Sequence, residues 1–202
     1  MCATVLSKSG SPSSNDSRHD TLTIVYDAMV LAGGTAQRLG GVDKPGLLVG
    51  GRSLLDRVLD AAAEATTTVV VGPSRPTDRA VVWTRETPAG GGPVAALRSG
   101  LPHITAERVV LLAADLPFLT RTLVARLGGY RNTVVIVEGR PQWLCGSWDT
   151  ADLRGALEGV AVQGARLRDL LAPLTLQQVP GPLAAWQDVD TPEDLARVRA
   201  LA

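Results

Sequence analysis

The sequence predicts a single α/β domain with a Rossmann-like, doubly wound and mostly parallel sheet that carries helices on both faces. From residue 26 onward, short apolar segments alternate with amphipathic helical segments. Several apolar segments are hydrophobic at every position, which is typical of parallel strands covered on both faces. The chain of 202 residues is long enough to bury a substantial core.

The predicted strands are short runs rich in valine, leucine and alanine. Aliphatic residues in runs of this length, many of them β-branched, favour extended structure. The strands span 27–32, 67–72, 80–83, 108–114 and 132–138.

The predicted helices lie between and after these strands. In the first, apolar residues recur at helical spacing, and Ser53 with Asp56 has the spacing of a capping box. The last follows Thr191, which can cap it, and has Pro192 at its first position. The helices span 53–65, 92–101, 120–129 and 192–202.

Residues 1–25 are predicted to be a disordered tail, because they are rich in serine and lack hydrophobic periodicity, which leaves 26–202 as the domain.

No apolar run approaches the roughly 20 residues that span a bilayer, and no secretory signal is present. Lysine and arginine total 20 and are balanced by 20 acidic residues, which argues against a nucleic-acid partner. Cys2 and Cys145 suggest no disulfide framework, so we expect a cytoplasmic protein.

The loops that follow the strands are where an open α/β sheet binds ligands. The first, AGGTAQRLGGVDKPG, begins after Leu31. Gly33 and Gly34 lack a Cβ, so the backbone can approach a ligand closely and its N–H groups can bind phosphate oxygens. Arg38 and Lys44 add positive charge. A hairpin with solvated cations is the alternative, but it would not need so many glycines.

The second loop, TRETPAGGGPVAAL, places three glycines directly before Pro93 at a helix start. Glycines at this position suit a close approach by the base or ribose of a nucleotide. A structural turn explains one glycine more readily than three.

The third loop, in RVVLLAADLPFLT, places Asp115 directly after an apolar strand. A carboxylate at this position is unfavourable unless it is paired or bound to a metal. Helix capping is the alternative role, but Thr120 is better placed to cap the helix that follows.

A further acidic pair, Asp188 and Asp190, lies in WQDVDTPEDL. The two residues are two positions apart, so both side chains point to one side of an extended segment. They also precede a helix N-terminus, and capping is a nearly equal interpretation for Asp188. Asp190 is the better candidate for a metal or second-substrate role.

The pattern LAGG followed by RLGGVDKP resembles the signature loop of nucleotidyltransferases with the nucleotide-diphospho-sugar transferase fold. It is most similar to the loop of the MobA-type molybdenum cofactor guanylyltransferases, and the resemblance covers the chain from about residue 27 to its end. It implies that Arg38, Lys44 and Asp115 are catalytic. The nucleotide-binding residues that it implies are Leu31, Ala32, Gly33, Gly34, Lys44, Glu86, Gly92, Pro93 and Asp115.

The second loop matches the family in part. Gly92 and Pro93 match a G-P-L-A-G stretch, and Glu86 falls near the acid that binds nucleotide in the family. Two residues depart from the pattern, since that acid is usually Asp and Ala96 replaces the second glycine.

The reaction implied by the resemblance transfers GMP from GTP to the phosphate of the molybdenum cofactor and releases pyrophosphate. It implies Mg²⁺ as the cofactor, bound by Asp115, and Mg²⁺ favours carboxylate and phosphate oxygens. Asp190 is the candidate for a second metal ligand on its position in the sequence and not on the resemblance, because the guanylyltransferases often have asparagine at positions 188 and 190. Arg140 and Gln142 lie in a segment that resembles the family's acceptor-side strand, and they are candidate acceptor-binding residues together with Asp188.

Gly33 favours guanylyl over cytidylyl transfer, because cytidylyl members more often have alanine there. The alternatives are a cytidylyltransferase for the same cofactor, another guanylyltransferase with a small phosphorylated acceptor, and a non-catalytic nucleotide-binding regulator. A dinucleotide-dependent oxidoreductase fits less well, because the G-x-G-x-x-G fingerprint is absent.

The expected partners are small molecules, with no nucleic acid and no membrane, and transient contacts with molybdoenzymes or other proteins of cofactor biosynthesis are allowed.

Overall fold

A computed structural model of the chain describes residues 24–33, 42–186 and 188–201. The first 23 residues of the predicted tail lie outside the described residues, as do Gly34 and Arg38 of the first loop. The described strands are β1 (Asp27–Leu31), β2 (Leu48–Val49), β3 (Arg52–Ser53), β4 (Thr68–Val71), β5 (Val82–Thr84), β6 (Arg108–Ala113), β7 (Thr133–Val137), β8 (Arg140–Asp149) and β9 (Gln177–Pro180).

Within the described residues, seven strands form one sheet in the order β5-β4-β1-β6-β8-β7-β9, and β2 and β3 form a separate hairpin. β1 pairs in parallel with β4 and β6, and the pairs β4–β5 and β7–β9 are also parallel. β8 runs antiparallel to both of its neighbours. The predicted mostly parallel sheet is therefore confirmed.

The strands differ from the prediction in their bounds, by one or two residues, and in β2, β3, β8 and β9, which are not among the predicted strands. The strand predicted at 80–83 begins two residues later, at Val82. β9 was not predicted, because its sequence QQVP is polar and contains a proline, and it is an edge strand that pairs only with β7 among the described strands. Proline is tolerated at such an edge because the missing N–H has no partner to lose.

The described helices are α1 (Leu54–Ala61), α2 (Gly92–Gly100), α3 (Arg121–Gly128), α4 (Thr150–Leu157), α5 (Leu167–Leu171), α6 (Leu183–Trp186) and α7 (Pro192–Leu201). The four predicted helices correspond to α1, α2, α3 and α7. The N-cap half of the predicted capping box is confirmed, since the backbone N–H of Asp56 donates to Ser53 Oγ at 2.9 Å. The second bond differs, because the Asp56 carboxylate accepts from the Ser53 hydroxyl at 2.6 Å and not from the Ser53 backbone N–H. No described helix is long and apolar enough to cross a membrane.

The core lies on both faces of the sheet, as the unbroken apolar strands predicted. Alternate residues of β6 enter different clusters: Leu112 lies with Leu55 of α1, and Leu111 lies with Leu97 of α2. All four side chains are fully buried. Each buried leucine contributes roughly 1.5–3 kcal/mol to the free energy of unfolding, so this packing holds the strand ends in place.

A buried carboxylate joins three segments at the opposite end of β1 from the first loop. The Asp27 side chain is 0% exposed. It accepts hydrogen bonds from the backbone N–H groups of Thr67 at 2.9 Å, Thr105 at 2.7 Å and Ala106 at 2.9 Å. These bonds tie the residues before β4 and β6 to the start of β1, and thereby fix how the three parallel strands align.

We expect Asp27→Asn to lower the free energy of unfolding by roughly 2–4 kcal/mol, because an amide has the same size but turns an NH₂ group toward backbone donors. Urea unfolding followed by circular dichroism measures the change. Asp60→Asn is the matched control, since Asp60 forms an exposed ion pair with Arg121 and its loss should change little. Equal stability of the two variants would show that the Asp27 bonds do not hold the strands.

Candidate active site

The ends of three parallel strands bring the first and third candidate loops together. Ala32 N–H donates to the Val71 carbonyl at 2.8 Å, and Ala114 N–H donates to the Leu31 carbonyl at 3.1 Å. The residues that follow β1, β4 and β6 therefore begin side by side, at the edge where α/β sheets bind ligands.

Lys44 lies at the centre of this edge, on a 3₁₀ turn that spans Lys44–Gly46. Its Nζ is 2.5 Å from Asp115 Oδ2 and 2.5 Å from Asp190 Oδ1, and its side chain is 16% exposed. Burial lowers the pKa of the ammonium, but the charges and hydrogen bonds of Asp115 and Asp190 outweigh this effect and raise the pKa above its ordinary value. Lys44 is therefore a cation at neutral pH.

Asp188 completes an acidic cluster with Asp115 and Asp190, in which one carboxylate oxygen from each residue lies within 4.8 Å of the others. Val189 between the last two is fully buried, so the predicted one-sided arrangement of Asp188 and Asp190 is confirmed. Burial raises the pKa of Asp188, and repulsion from Asp190 and Asp115 adds to the rise while Lys44 opposes it. The repulsion among the three carboxylates is therefore only partly offset by Lys44.

The donor set of this cluster fits a hard divalent cation. All three groups offer carboxylate oxygens, which are the ligands that Mg²⁺ prefers. Asp115 Oδ1 is buried and has no hydrogen-bond partner, although buried polar atoms normally have one. An oxygen in this state is suited to a metal ion.

Glu86 links the first and second loops. A Cβ atom added at Gly33 would lie 3.5 Å from each carboxylate oxygen of Glu86. Glu86 Oε1 accepts a long hydrogen bond, 3.4 Å, from the backbone N–H of Gly90. Gly92 and Pro93 begin α2, and Gly92 adopts a positive φ of 82° that favours glycine. Glu86 of the second loop therefore lies beside Gly33 of the first loop, and Gly92 and Pro93 lie farther along the second loop.

Gly72, at the end of β4, was not predicted as a site residue. A Cβ atom there would lie 2.7 Å from the Ala32 carbonyl oxygen, so any side chain would push against the first loop. Its N–H donates to the Thr84 carbonyl at 2.9 Å. The signal available in the sequence was a glycine that ends a run of valines and is followed directly by Pro73.

The three predicted acceptor residues lie in two different places. Arg140 and Gln142 lie in the first half of β8, which runs antiparallel to β6 and so starts at the same sheet edge as Asp115. Gln142 Nε2 donates to the Arg140 carbonyl at 3.3 Å. Among the described hydrogen bonds and ion pairs, none joins either side chain to the acids. Asp188, by contrast, lies within the acidic cluster.

Two further titratable residues, Cys145 and His103, are respectively buried and solvent-exposed. Cys145 is buried, and burial raises the pKa of its thiol well above the ordinary value, so it is not a thiolate nucleophile at neutral pH. His103 is exposed on a short 3₁₀ turn.

Sequence comparison shows related proteins over most of the chain. A profile of the MobA-like NTP transferase domain matches residues 28–179. A molybdenum cofactor guanylyltransferase from Rhodopseudomonas palustris (strain HaA2) is 32% identical over 196 residues, covering 87% of this chain and 91% of the relative. A protein of the same name from Rhizobium leguminosarum bv. trifolii (strain WSM2304) is 32% identical over 190 residues, covering 83% of this chain and 88% of the relative.

Solved structures share the fold. Molybdopterin-guanine dinucleotide biosynthesis protein A from Archaeoglobus fulgidus superposes with a TM-score of 0.68 at 21% identity, covering 87% of this chain and 97% of that protein. The 2-C-methyl-D-erythritol 4-phosphate cytidylyltransferase from Thermus thermophilus superposes with a TM-score of 0.67 at 23% identity, covering 88% and 98%. At these identities the likeness shows the fold alone, and it confirms the predicted nucleotide-diphospho-sugar transferase-like architecture.

We expect Lys44→Met to lower the free energy of unfolding by roughly 1–3 kcal/mol, between the values for exposed and buried ion pairs, because three clustered carboxylates lose their central cation. The double variant with Asp115→Asn should recover part of this loss, since one of the repelling charges is removed. Urea unfolding in low salt, without divalent ions, measures both changes. Arg121→Met, which breaks an exposed pair, is the control. Equal losses in the single and double variants would contradict this account of the cluster.

Proposed function

The chain belongs to the MobA-like NTP transferase family, and we propose that it transfers GMP from GTP to the phosphate of the molybdenum cofactor, with release of pyrophosphate. Relatives that bear the name molybdenum cofactor guanylyltransferase align over nearly the whole chain. The observation that carries the proposal is the placement of Lys44 between Asp115 and Asp190 at the carboxyl ends of the parallel strands. That edge is where such sheets bind nucleotides.

Lys44 and the backbone of the first loop bind the triphosphate. The raised pKa of Lys44 keeps its ammonium charged, and an ammonium is a point charge suited to phosphate oxygens. Gly33 allows the backbone to approach the phosphates without a side chain in between. Arg38, whose position lies outside the described residues, is proposed to add a second cation.

Glu86 binds the base. Guanine presents two adjacent N–H donors on its Watson–Crick edge, at N1 and at the 2-amino group, and a carboxylate can accept both. Glu86 lies beside Gly33 and accepts from the N–H of Gly90, so its oxygens lie where the first two loops meet. Cytosine offers one such donor group, which favours GTP over CTP.

Mg²⁺ is proposed to be held by Asp115 and Asp190, with Asp188 close enough to take part. When bound, the ion offsets negative charge on the phosphates during transfer. Asp115 follows the rigid central strand β6, so its carboxylate is held by the sheet rather than by a free loop. Asp190 precedes α7, and its backbone N–H donates to the Asp194 carboxylate at 3.2 Å, which holds the segment in place.

The reaction needs alignment more than acid–base chemistry. A phosphate oxygen of the acceptor attacks the α-phosphorus of GTP, the bond from that phosphorus to the bridging oxygen breaks, and pyrophosphate leaves with the electron pair. The attacking oxygen is already anionic, so no general base has to remove a proton. The protein contributes by holding the reactants in line and by offsetting charge. Arg140 and Gln142, at the same edge of the sheet, are proposed to hold the anionic acceptor.

The test is pyrophosphate release with Mg²⁺, the molybdopterin cofactor and each of the four nucleoside triphosphates in turn. We expect release with GTP and little with CTP, ATP or UTP. Asp115→Asn should reduce the rate by several orders of magnitude while leaving metal-free GTP binding unchanged, because it removes the charge that holds the metal. Release with CTP alone would replace the proposal by cytidylyl transfer. GTP binding without any release would support a nucleotide-binding regulator.

Glu86→Gln tests the proposed role in base recognition. We expect the KM for GTP to rise by about 10- to 100-fold, the equivalent of one charge-assisted hydrogen bond. Wild-type protein should prefer GTP to ITP, which lacks the 2-amino group, and the variant should lose that preference. If the variant instead loses discrimination against 2′-deoxyGTP and keeps its preference for GTP over ITP, Glu86 binds the ribose.

A further inference from the structure

An ion pair joins the residue before Lys44 to the loop between β4 and β5. Both carboxylate oxygens of Asp43 accept hydrogen bonds from Nη1 of Arg75. The Arg75 side chain is 14% exposed, whereas that of Asp43 is 61% exposed. The arginine is thus the less exposed partner, and the carboxylate lies against it.

Arg75 has little capacity left for a substrate. Its Nε and Nη2 point at the Pro73 carbonyl oxygen, at 3.4 and 3.3 Å. A guanidinium has five N–H donors. Both N–H groups of Nη1 pair with Asp43, and two of the remaining three N–H groups point at the Pro73 carbonyl. The geometry therefore indicates a structural contact rather than a phosphate contact.

Asp43 controls the turn that carries Lys44. Its carbonyl accepts from the Gly46 N–H at 3.0 Å, which closes the 3₁₀ turn Lys44–Gly46. Its side chain does not cap that turn and pairs with Arg75 instead. A Cβ atom at Gly46 would collide with the Asp43 carboxylate. The orientation of the carboxylate and the path of the turn are therefore coupled.

The loop that carries Arg75 is anchored at other points. Asp78 N–H donates to Asp56 Oδ1 at 3.0 Å, and the Asp56 backbone N–H donates to Ser53, the N-cap of α1. Arg52 Nη2 lies 3.5 Å from Asp78 Oδ2. The loop begins at Gly72, which packs on the backbone of the first loop. Arg75 therefore lies in a loop that is bonded at several points, and its ion pair restricts the position of Asp43.

We propose that Arg75 is a positioning residue that acts through Asp43 to hold Lys44 where it binds the triphosphate. This inference rests on the proposed function, since it assumes that Lys44 binds a nucleotide. Without the Asp43–Arg75 ion pair, the turn would no longer be bonded to the β4–β5 loop. The Lys44 ammonium would then occupy the position that binds the phosphates for a smaller fraction of the time.

The test is a double-mutant cycle with Arg75→Met and Asp43→Ala. Methionine keeps the packing of the buried arginine stem, and truncation of the exposed Asp43 side chain disturbs little else. Each single variant should weaken metal-free GTP binding, measured by calorimetry, by about tenfold, which corresponds to one weakened charge-assisted contact. The KM for GTP should rise by a similar factor. The double variant should be no worse than either single variant, because both changes remove one interaction.

Arg79→Ala is the matched control, because Arg79 lies in the same loop and its Nη2 is 3.5 Å from the Ala63 carbonyl rather than near Asp43. It should bind GTP like the wild type. A purely structural role for Arg75 would lower the melting temperature and the apparent kcat but leave the Kd and KM for GTP unchanged, and would overturn the proposal. A defect in Arg75→Met with normal Asp43→Ala would show direct substrate contact and would also overturn it.

The binding measurement separates this inference from the proposed function. If the wild type binds GTP but transfers no GMP, the function fails while the cycle still decides the role of Arg75. If the wild type binds no nucleoside triphosphate, both proposals fail together. If it transfers GMP and the two variants have additive effects, only the positioning role fails.

Discussion

The contact of Lys44 with Asp115 and Asp190 is the interaction on which the rest of the site depends. Three carboxylates that each place an oxygen within 4.8 Å of the others repel one another. In the absence of other cations, the Lys44 ammonium between two of them offsets part of that repulsion. The same groups have the chemistry to bind a divalent ion and phosphates. One set of charges therefore forms the ion pairs of this site and offers the groups that a divalent ion and phosphates prefer.

The sheet makes this contact possible between residues far apart in sequence. Lys44 follows β1, Asp115 follows β6, and Asp190 lies 146 positions after Lys44. Parallel pairing of β1 with β4 and β6 puts their carboxyl ends at one edge, and the buried Asp27 aligns their opposite ends. The hydrophobic clusters on both faces then keep the strands from shifting. The positions of the site residues are thus fixed by buried side chains and hydrogen bonds in other parts of the sheet.

Several parts of the fold and the site could be predicted because their signals are local. Unbroken runs of valine and leucine identified the five predicted strands, and the Ser53–Asp56 spacing identified the start of α1. Two-residue spacing placed Asp188 and Asp190 on one side of the chain. β9 was missed because its residues are polar and pair only across the sheet. Gly72 and Arg75 were missed for a similar reason, since their partners Ala32 and Asp43 lie in a different loop.

The sequence by itself determined the fold class, the loops that carry the chemistry and the family to which the chain belongs. These properties follow from hydrophobic period, glycine spacing and motif, which are all encoded in short windows. The tertiary structure alone decided that Lys44 pairs with two specific carboxylates, that Glu86 faces Gly33, and that Asp188 groups with the acids and not with Arg140. Charge interactions and steric limits depend on distances of a few ångströms through space. Only the completed sheet, which brings distant strand ends together, sets those distances.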